Sequence, residues 1–230
     1  YGDTAMDIDL PAMVRFHKEH KALGTLFLHP NDHPYDSDLV EIDQHNKITA
    51  VHSKPHKAGF YRNLVNAALY ILNPEILSFI PQGKSSDFGK DIFPAVLRAQ
   101  KTLNGYVSAE YIKDMGTPER YKAVSEALVS GKIARSNKQN KRPAIFLDRD
   151  GVLNKDTDLL CKAEDLELLP NVPDAVKKIN LSGYLAIVIT NQPIIAKNLA
   201  TLEELARIHN KLETLLGEKG AYVDAIYFCP

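Results

Sequence analysis

The run Ala144-Ile145-Phe146-Leu147-Asp148-Arg149-Asp150-Gly151-Val152-Leu153-Asn154 sets two carboxylates one residue apart at the end of an apolar stretch, directly before a glycine turn. Side chains in a strand alternate between faces, so this spacing predicts Asp148 and Asp150 on one side and Arg149 on the other. Carboxylates that converge there can hold a divalent cation through oxygen, and one can attack phosphorus while the other carries a proton. A bare pair of this kind also closes strands as an ordinary polar turn; the apolar run before it and Gly151 after it favour the chemical reading. A second polar group, Thr190-Asn191-Gln192, follows the apolar run Leu185-Ala186-Ile187-Val188-Ile189. Alone it suits a helix cap or a turn. It also ends what reads as the neighbouring strand of the same sheet, which would bring it beside the acidic pair.

The elements that must position these groups follow from periodicity. Ile145 to Leu147 reads as a strand, Val172 to Leu181 as a helix, Leu185 to Ile189 as a strand, Leu202 to Leu216 as a helix and Val223 to Phe228 as a strand. Strands alternating with helices imply parallel βαβ units in a doubly wound sheet, in which ligands bind at the carboxyl ends of the strands. Ahead of this region, Thr117 caps a helix with Pro118 at its first position, running through Val124 and Leu128 to Gly131. The segment from Gly131 to Arg142 carries five cations and no acid. It reads as a solvated basic connector rather than a nucleic-acid patch, since no aromatic residues interleave the charges. The expected organisation is residues 1–131, a linker over 132–142, and a second domain over 143–230.

With 28 basic and 29 acidic residues among 230, the formal charge is −1, so no overall field argues for nucleic acid or a membrane surface as partner. Two cysteines, Cys161 and Cys229, are too few for a disulfide framework, which suits a reducing, cytoplasmic setting. No apolar run approaches the roughly 20 residues needed to span a bilayer. The sequence sets no oligomeric state. The chain opens at Tyr1 in what reads as a strand and closes at Cys229-Pro230 just after another, so both ends read as cut. The histidines His17, His20, His29, His33, His52 and His56 show no ligand spacing, and the pairs His29-Pro30 and His33-Pro34 suit turns.

The string from Ala144 to Asn154, together with Leu169-Pro170-Asn171-Val172, Gly183-Tyr184 and Thr190-Asn191-Gln192-Pro193-Ile194-Ile195-Ala196-Lys197, resembles the haloacid dehalogenase phosphatase superfamily, in its histidinol-phosphatase-like branch and particularly the heptose 1,7-bisphosphate phosphatases. The resemblance covers Ala144 to Pro230. It implies Asp148 as the nucleophile that forms an aspartyl-phosphate, Asp150 as general acid and base, Thr190 and Asn191 as phosphate binders, and Mg²⁺ on Asp148 and Asp150. It also implies that Cys229 begins a loop that binds structural Zn²⁺, of which one cysteine cannot make a tetrahedral site. Pro193 stands where serine is usual and Lys197-Asn198 replaces an Arg-Gly pair, which bears on substrate fit. The family's later motifs, a lysine and a further acidic residue, have no counterpart before residue 230, so the segment alone is expected to be a weak phosphatase or none.

The first part is similar to the sugar-phosphate nucleotidyltransferases. The resemblance rests on Tyr1-Gly2-Asp3, Met6 to Leu10, Ser53-Lys54-Pro55-His56, Leu64 to Leu72, and Glu110-Tyr111-Ile112-Lys113-Asp114-Met115-Gly116-Thr117-Pro118-Glu119-Arg120-Tyr121. It implies Asp3, at the end of a central strand, and Asp114 as partners of Mg²⁺ on nucleotide phosphates, Lys54 as a contact to the sugar phosphate and Asn66 to a sugar hydroxyl. Ala68 stands where that family often has glycine. The family's glycine-rich nucleotide loop would precede Tyr1.

Together the expected fold class is α/β: a partial nucleotidyltransferase with a Rossmann-like mixed sheet, then a partial dehalogenase-like doubly wound parallel sheet. The expected function is a bifunctional enzyme that removes the C7 phosphate from heptose 1,7-bisphosphate and joins a sugar 1-phosphate to a nucleotide from a nucleoside triphosphate. Two alternatives stand beside it, a histidinol-phosphate-type phosphatase fused to another nucleotidyltransferase, and a non-catalytic sugar-phosphate-binding protein.

Overall fold

A computed structural model describes residues 2–230; the strand expected at Tyr1 lies outside the described residues. Contacts divide the chain into two compact units. The first comprises Tyr1–His29, Ser37–Lys54 and Leu64–Lys141, and the second Pro30–Asp36, Pro55–Asn63 and Arg142–Pro230.

The first unit is built on a five-stranded mixed sheet. In chain order its strands are β2 (Gly24–His29), β3 (Leu39–Ile42), β4 (Ile48–His52), β5 (Val65–Leu72) and β6 (Leu103–Val107), arranged β4-β3-β5-β2-β6. The central β2 runs parallel to β6 and antiparallel to β5. Its Leu26, Phe27 and Leu28 are all fully buried, as expected of a strand covered on both faces. Helix α1 (Leu10–His20) starts at Asp9, whose carboxylate accepts the Ala12 N–H. It buries Met13 against Phe27 and Tyr106. A short helix, α2 (Phe93–Arg98), closes the opposite face through Phe93 and Val96.

Apart from this sheet, β1 (Thr4–Asp7) pairs antiparallel with β7 (Tyr111–Asp114). Asp3 therefore precedes a short strand of a two-stranded sheet and does not end a central strand, because the central position belongs to β2. Helix α3 (Pro118–Val129) follows, with the Thr117 hydroxyl accepting the Arg120 N–H. The basic stretch after it is only partly solvated. Residues Lys132–Arg135 form a turn of helix, α4, that buries Ile133 with Val124 and Ala127 while its cations face outward. Farther on, Lys138 donates its backbone N–H to Glu110 and Asn137 donates its amide to Asp7. Net charge described this segment's surface; the apolar residue between the cations decided its packing.

The second unit holds a three-stranded parallel sheet ordered β10-β9-β8, formed by β8 (Ala144–Leu147), β9 (Leu185–Asn191) and β10 (Ala225–Cys229). Helix α5 (Val172–Ser182) ends at Gly183, whose φ of 85° is the left-handed cap that glycine supplies without strain. Helix α6 (Leu202–Gly217) opens with a capping box between Thr201 and Glu204. Its Leu205, Ile208, Leu212 and Leu216, at helical spacing, join Val176, Ala186 and Val188 in one core. Across the sheet Phe146, Ile189 and Tyr227 are exposed. Residues Pro30–Asp36 and Pro55–Asn63 of this unit lie along α6: Asn63 donates its backbone N–H to Glu213, and Tyr61 exchanges two hydrogen bonds with the Thr214 hydroxyl. Among the described residues no helix is long and apolar enough to cross a membrane.

Candidate functional site

Three parallel strands of the second unit finish at one edge, and their ends make a pocket. The pairing of Leu147 with Val188, and of Phe228 and Cys229 with Thr190 and Asn191, brings the carboxyl ends of β8, β9 and β10 side by side. An open cavity of about 820 Å³ there is lined by Asp148, Thr190, Asn191 and Cys229 over a floor that includes Phe146 and Tyr227. This is where the topology of a parallel sheet puts a ligand. Asp148 is exposed, one of its oxygens accepting the Arg149 N–H at 2.7 Å. Thr190 is a lining residue but is buried, its hydroxyl accepting from Gln192 Nε2 at 2.9 Å.

Asp150 does not line this cavity with Asp148. Strand β8 ends at Leu147, so the alternation that put Arg149 on the opposite face no longer governs these residues. The chain bends instead, with Leu153 and Asn154 both donating their backbone N–H to the Arg149 carbonyl and Gly151 at φ 76°. Arg149 turns inward, becomes fully buried, and lays its guanidinium on the neighbouring carboxylate. Its Nη2 lies 3.0 Å from Asp150 Oδ1 and 2.8 Å from Oδ2, and its Nε is 3.1 Å from Oδ1. Asn154 Nδ2 adds a donor to Oδ1 at 3.0 Å, and Gln192 Nε2 one to Oδ2 at 2.8 Å. Burial pushes the Asp150 carboxyl up, but the Arg149 guanidinium and the amides of Asn154 and Gln192 outweigh it and hold the group below the usual carboxylate range. Arg149 is braced on its far side by His209 of α6, its Nη1 lying 3.3 Å from His209 Nε2. Because a guanidinium only donates, that ring nitrogen must accept. Burial first, then the adjacent Arg149 charge, pushes His209 down to about 3, so the ring is neutral.

This geometry decides which groups can hold a metal. The Asp150 carboxylate offers about four lone-pair sites and already takes five donor contacts. It is full, so the side chain expected as a Mg²⁺ ligand is unsuited to that task while Arg149 grips it. Asp148, exposed on the pocket, has the hard oxygen that Mg²⁺ prefers. Among the described residues no three His, Cys, Asp or Glu side chains are placed to hold a metal together, and Cys229, exposed at the end of β10, has no second thiol or imidazole in such a group.

In the first unit the structure brings Asp3 and Asp114 together. Thr4 pairs with Asp114, and Met115 donates its backbone N–H to the Asp3 carbonyl at 2.7 Å. A methyl group added at Gly116 would lie 3.6 Å from both Asp3 Oδ2 and Asp114 Oδ2, so both carboxylates face the small space that glycine leaves. Two hard oxygens across such a gap suit a divalent cation. Arg120 Nη1 sits 2.6 Å from Asp114 Oδ2. Burial raises the Asp114 carboxyl, and the Arg120 hydrogen bond and charge more than reverse this, so it rests low.

Lys54 and Asn66 gather around Asp38. Lys54 donates its backbone N–H to Asp38 Oδ1 at 3.2 Å, and Asn66 donates its own to the Asp38 carbonyl at 2.9 Å. The Asn66 side chain is engaged: Oδ1 accepts from Ala68 N–H and Nδ2 donates to Tyr70 Oη, each at 3.1 Å. These bonds hold an irregularity in β5 where Ala68 takes φ 57°. Sequence reasoning did not single out Asp38, Arg120, Arg149, Asn154, Gln192 or His209 as members of a site. For Arg149 and Gln192 a signal existed, since each is a long polar side chain wedged between motif residues at a strand end.

Comparison with known proteins finds relatives of two kinds. Residues 1–131 match the nucleotidyl transferase family model. Over the same length the chain is 31% identical to a mannose-1-phosphate guanylyltransferase of Mycobacterium tuberculosis, covering 56% of this chain and 36% of that protein. Over 90 residues the chain is 41% identical to a D-glycero-D-manno-heptose-1,7-bisphosphate 7-phosphatase of Thermosynechococcus vestitus, covering 39% of this chain and 46% of that one. A solved D,D-heptose 1,7-bisphosphate phosphatase from B. bronchiseptica, complexed with magnesium and phosphate, is 34% identical over 38% of this chain and 50% of its own, with a TM-score of 0.37. The chain thus spans about half the length, or less, of these relatives.

Proposed function

Through residues 1–131 the chain belongs to the nucleotidyl transferase family, and from that premise we propose a bifunctional sugar-phosphate enzyme that pairs nucleotidyl transfer in the first unit with phosphate-ester hydrolysis in the second. The observation that carries the second half is the pocket where Asp148, Thr190 and Asn191 meet at the carboxyl ends of three parallel strands. Its substrate is heptose 1,7-bisphosphate, by likeness to the phosphatases matched over 90 residues.

Asp148 is the nucleophile. Its carboxylate oxygen attacks the C7 phosphorus, the sugar oxygen leaves, and an aspartyl-phosphate remains; water then attacks phosphorus and restores Asp148. Thr190 and Asn191, at the pocket wall, hold the phosphoryl oxygens. Asp150 rests as a carboxylate in the free protein and takes the proton of the attacking water in the second step. That proton goes to solvent as phosphate leaves; when the next dianionic substrate binds, its charge raises the proton affinity of Asp150, which takes a proton from solvent as one of its amide donors gives way and passes it to the leaving sugar oxygen. Mg²⁺ on Asp148 would neutralise the charge that gathers as nucleophile and phosphate approach.

In the first unit Asp3 and Asp114 would hold Mg²⁺, which would supply charge neutralisation for the nucleotide phosphates; the sugar 1-phosphate oxygen attacks the α-phosphorus and pyrophosphate leaves. Lys54 meets the sugar phosphate as a point charge. With its amide committed to Ala68 and Tyr70, Asn66 reaches a sugar hydroxyl only through its remaining hydrogen and lone pair.

Phosphate release from heptose 1,7-bisphosphate by the full-length protein with Mg²⁺, beside Asp148→Asn and a histidinol phosphate control, tests this reading. Release that vanishes in the variant is the expected result. Release no faster than the variant's, from a folded protein, would sink the heptose assignment, and a preference for histidinol phosphate would replace it.

A further inference from the structure

We propose that Gln192 is a positioning residue that fixes the distance and direction between the Asp150 carboxylate and the Thr190 hydroxyl. The inference rests on the phosphatase reading of the pocket and adds to it a residue that need not touch substrate.

Gln192 is 2% exposed, and both ends of its amide are used. Arg149 Nη2 can only donate, so the atom 2.8 Å from it is the Gln192 carbonyl oxygen, and the orientation of the amide follows. The two amide hydrogens then point at Asp150 Oδ2, 2.8 Å away, and at Thr190 Oγ1, 2.9 Å away. One planar group therefore ties the turn after β8 to the end of β9. Both atoms that it tethers belong to groups assigned a chemical task, the carrier of the proton and the holder of the phosphoryl oxygens.

The direction of these bonds adds a consequence. Because Thr190 Oγ1 accepts from Gln192, its own hydrogen is left to donate, and the pocket is the side from which a phosphoryl oxygen arrives. Arg149 also keeps the amide from rotating, since a flip would turn its NH₂ group onto the guanidinium. Arg149 is in turn held by the accepting nitrogen of His209. The series His209, Arg149, Gln192, Thr190 is buried throughout, with each member at most 9% exposed, so water cannot replace a lost bond cheaply.

Gln192→Met in the full-length protein tests this, because it keeps length and volume and deletes the amide. Two readouts are taken against p-nitrophenyl phosphate and inorganic phosphate, and thermal unfolding checks integrity. A misaimed Asp150 should lower kcat by about 100-fold, the scale set by an ångström-sized displacement, with a much smaller change in KM. Calorimetry should show weaker binding of inorganic phosphate as Thr190 loses its direction. A folded variant that keeps kcat and phosphate affinity within about 3-fold of the parent, well short of that scale, overturns the proposal. If Gln192→Met does not fold, Gln192→Asn carries the same criteria, since its amide is one methylene too short to reach both partners. A parent that binds inorganic phosphate yet shows no Asp148-dependent turnover overturns the phosphatase reading instead, and the role of Gln192 is then decided by phosphate affinity alone.

Discussion

In the second unit the Asp150 carboxylate meets donors from Arg149, Asn154 and Gln192, whereas in the first unit Asp114 meets the Arg120 guanidinium and turns an oxygen toward the same gap as Asp3. Each unit carries two carboxylates suited to phosphorus chemistry, and the folds treat them differently. One pair is divided, with Asp148 exposed and Asp150 saturated, which suits the separate roles of nucleophile and proton carrier proposed for them. The other is convergent, with both members facing one space, which suits sharing a cation. Close spacing in sequence produced the divided pair, and distant residues joined across a strand pair produced the convergent one. Proximity along the chain is thus a poor guide to which carboxylates face the same space.

The sharpest way to break this comparison is to neutralise one member of each pair. Asp148→Asn should abolish phosphate release, at least about 1000-fold, while leaving nucleotidyl transfer intact. Asp114→Asn should do the reverse, with a loss of about 100-fold or more and a raised Mg²⁺ requirement. Assays of both reactions on both variants check this, and loss of both activities in either variant would contradict the separation of roles.

Next in size is the contrast between the two arginines. Arg149 is fully buried against Asp150, and Arg149→Met strips a partly buried carboxylate of its cation, which should cost about 3 kcal/mol in urea unfolding. Arg120 and Asp114 keep 35% and 42% of their side chains exposed, so Arg120→Met should cost under about 1 kcal/mol. Equal costs would mean that Asp150 is no more dependent on its cation than Asp114.

A smaller effect sets two groups of the second unit against each other by pH. His209 is held down to about 3 against an ordinary 6.5 by burial and by Arg149. Between those values the folded protein binds fewer protons than the unfolded chain, so this residue's contribution is fully present above 6.5 and is lost as pH falls toward 3. Asp224, raised to about 6 by burial, acts in the opposite sense, since its protonated form is favoured in the fold and stability falls as pH rises from 3.8 to 6. Comparing the parent with His209→Asn cancels the Asp224 contribution. The parent's advantage over that variant should shrink by about 2 kcal/mol between pH 6.5 and 5. An advantage that stays constant across that range would show that the ring titrates normally.

How much of this was legible in the sequence depends on range. The alternation of strands and helices from Ala144 onward located β8, α5, β9, α6 and β10 to within a few residues, because each has its own apolar period. The meeting of Asp148 with Thr190 and Asn191 follows from that topology, since neighbouring parallel strands end at the same edge. The inward turn of Arg149 was not legible. It depends on β8 ending at Leu147 and on partners contributed by β9 and α6, the latter 60 residues away. Local spacing cannot encode either. The same holds for Asp38, which gathers Lys54 and Asn66 through backbone bonds that leave no mark on residue type.

The two sites also differ in how they accommodate a left-handed residue, and this gives the smallest effect. Beside Asp150 the positive φ of 76° falls on Gly151, which adopts it freely. Beside Asn66 it falls on Ala68 at 57°, where a Cβ crowds the following carbonyl at a cost of about 1 to 2 kcal/mol. Ala68→Gly removes that crowding but gives the unfolded chain about 0.4 to 1 kcal/mol more entropy to lose, so the net gain should be about 0.5 kcal/mol. Gly151→Ala should run the other way by about 1 kcal/mol or more. Urea unfolding of the two variants decides the matter. A destabilised Ala68→Gly would show that the alanine methyl contributes packing that outweighs its strain. A stabilised one would show that the Asn66 amide, through its bond to the Ala68 N–H, holds this strand in a conformation its own residue resists.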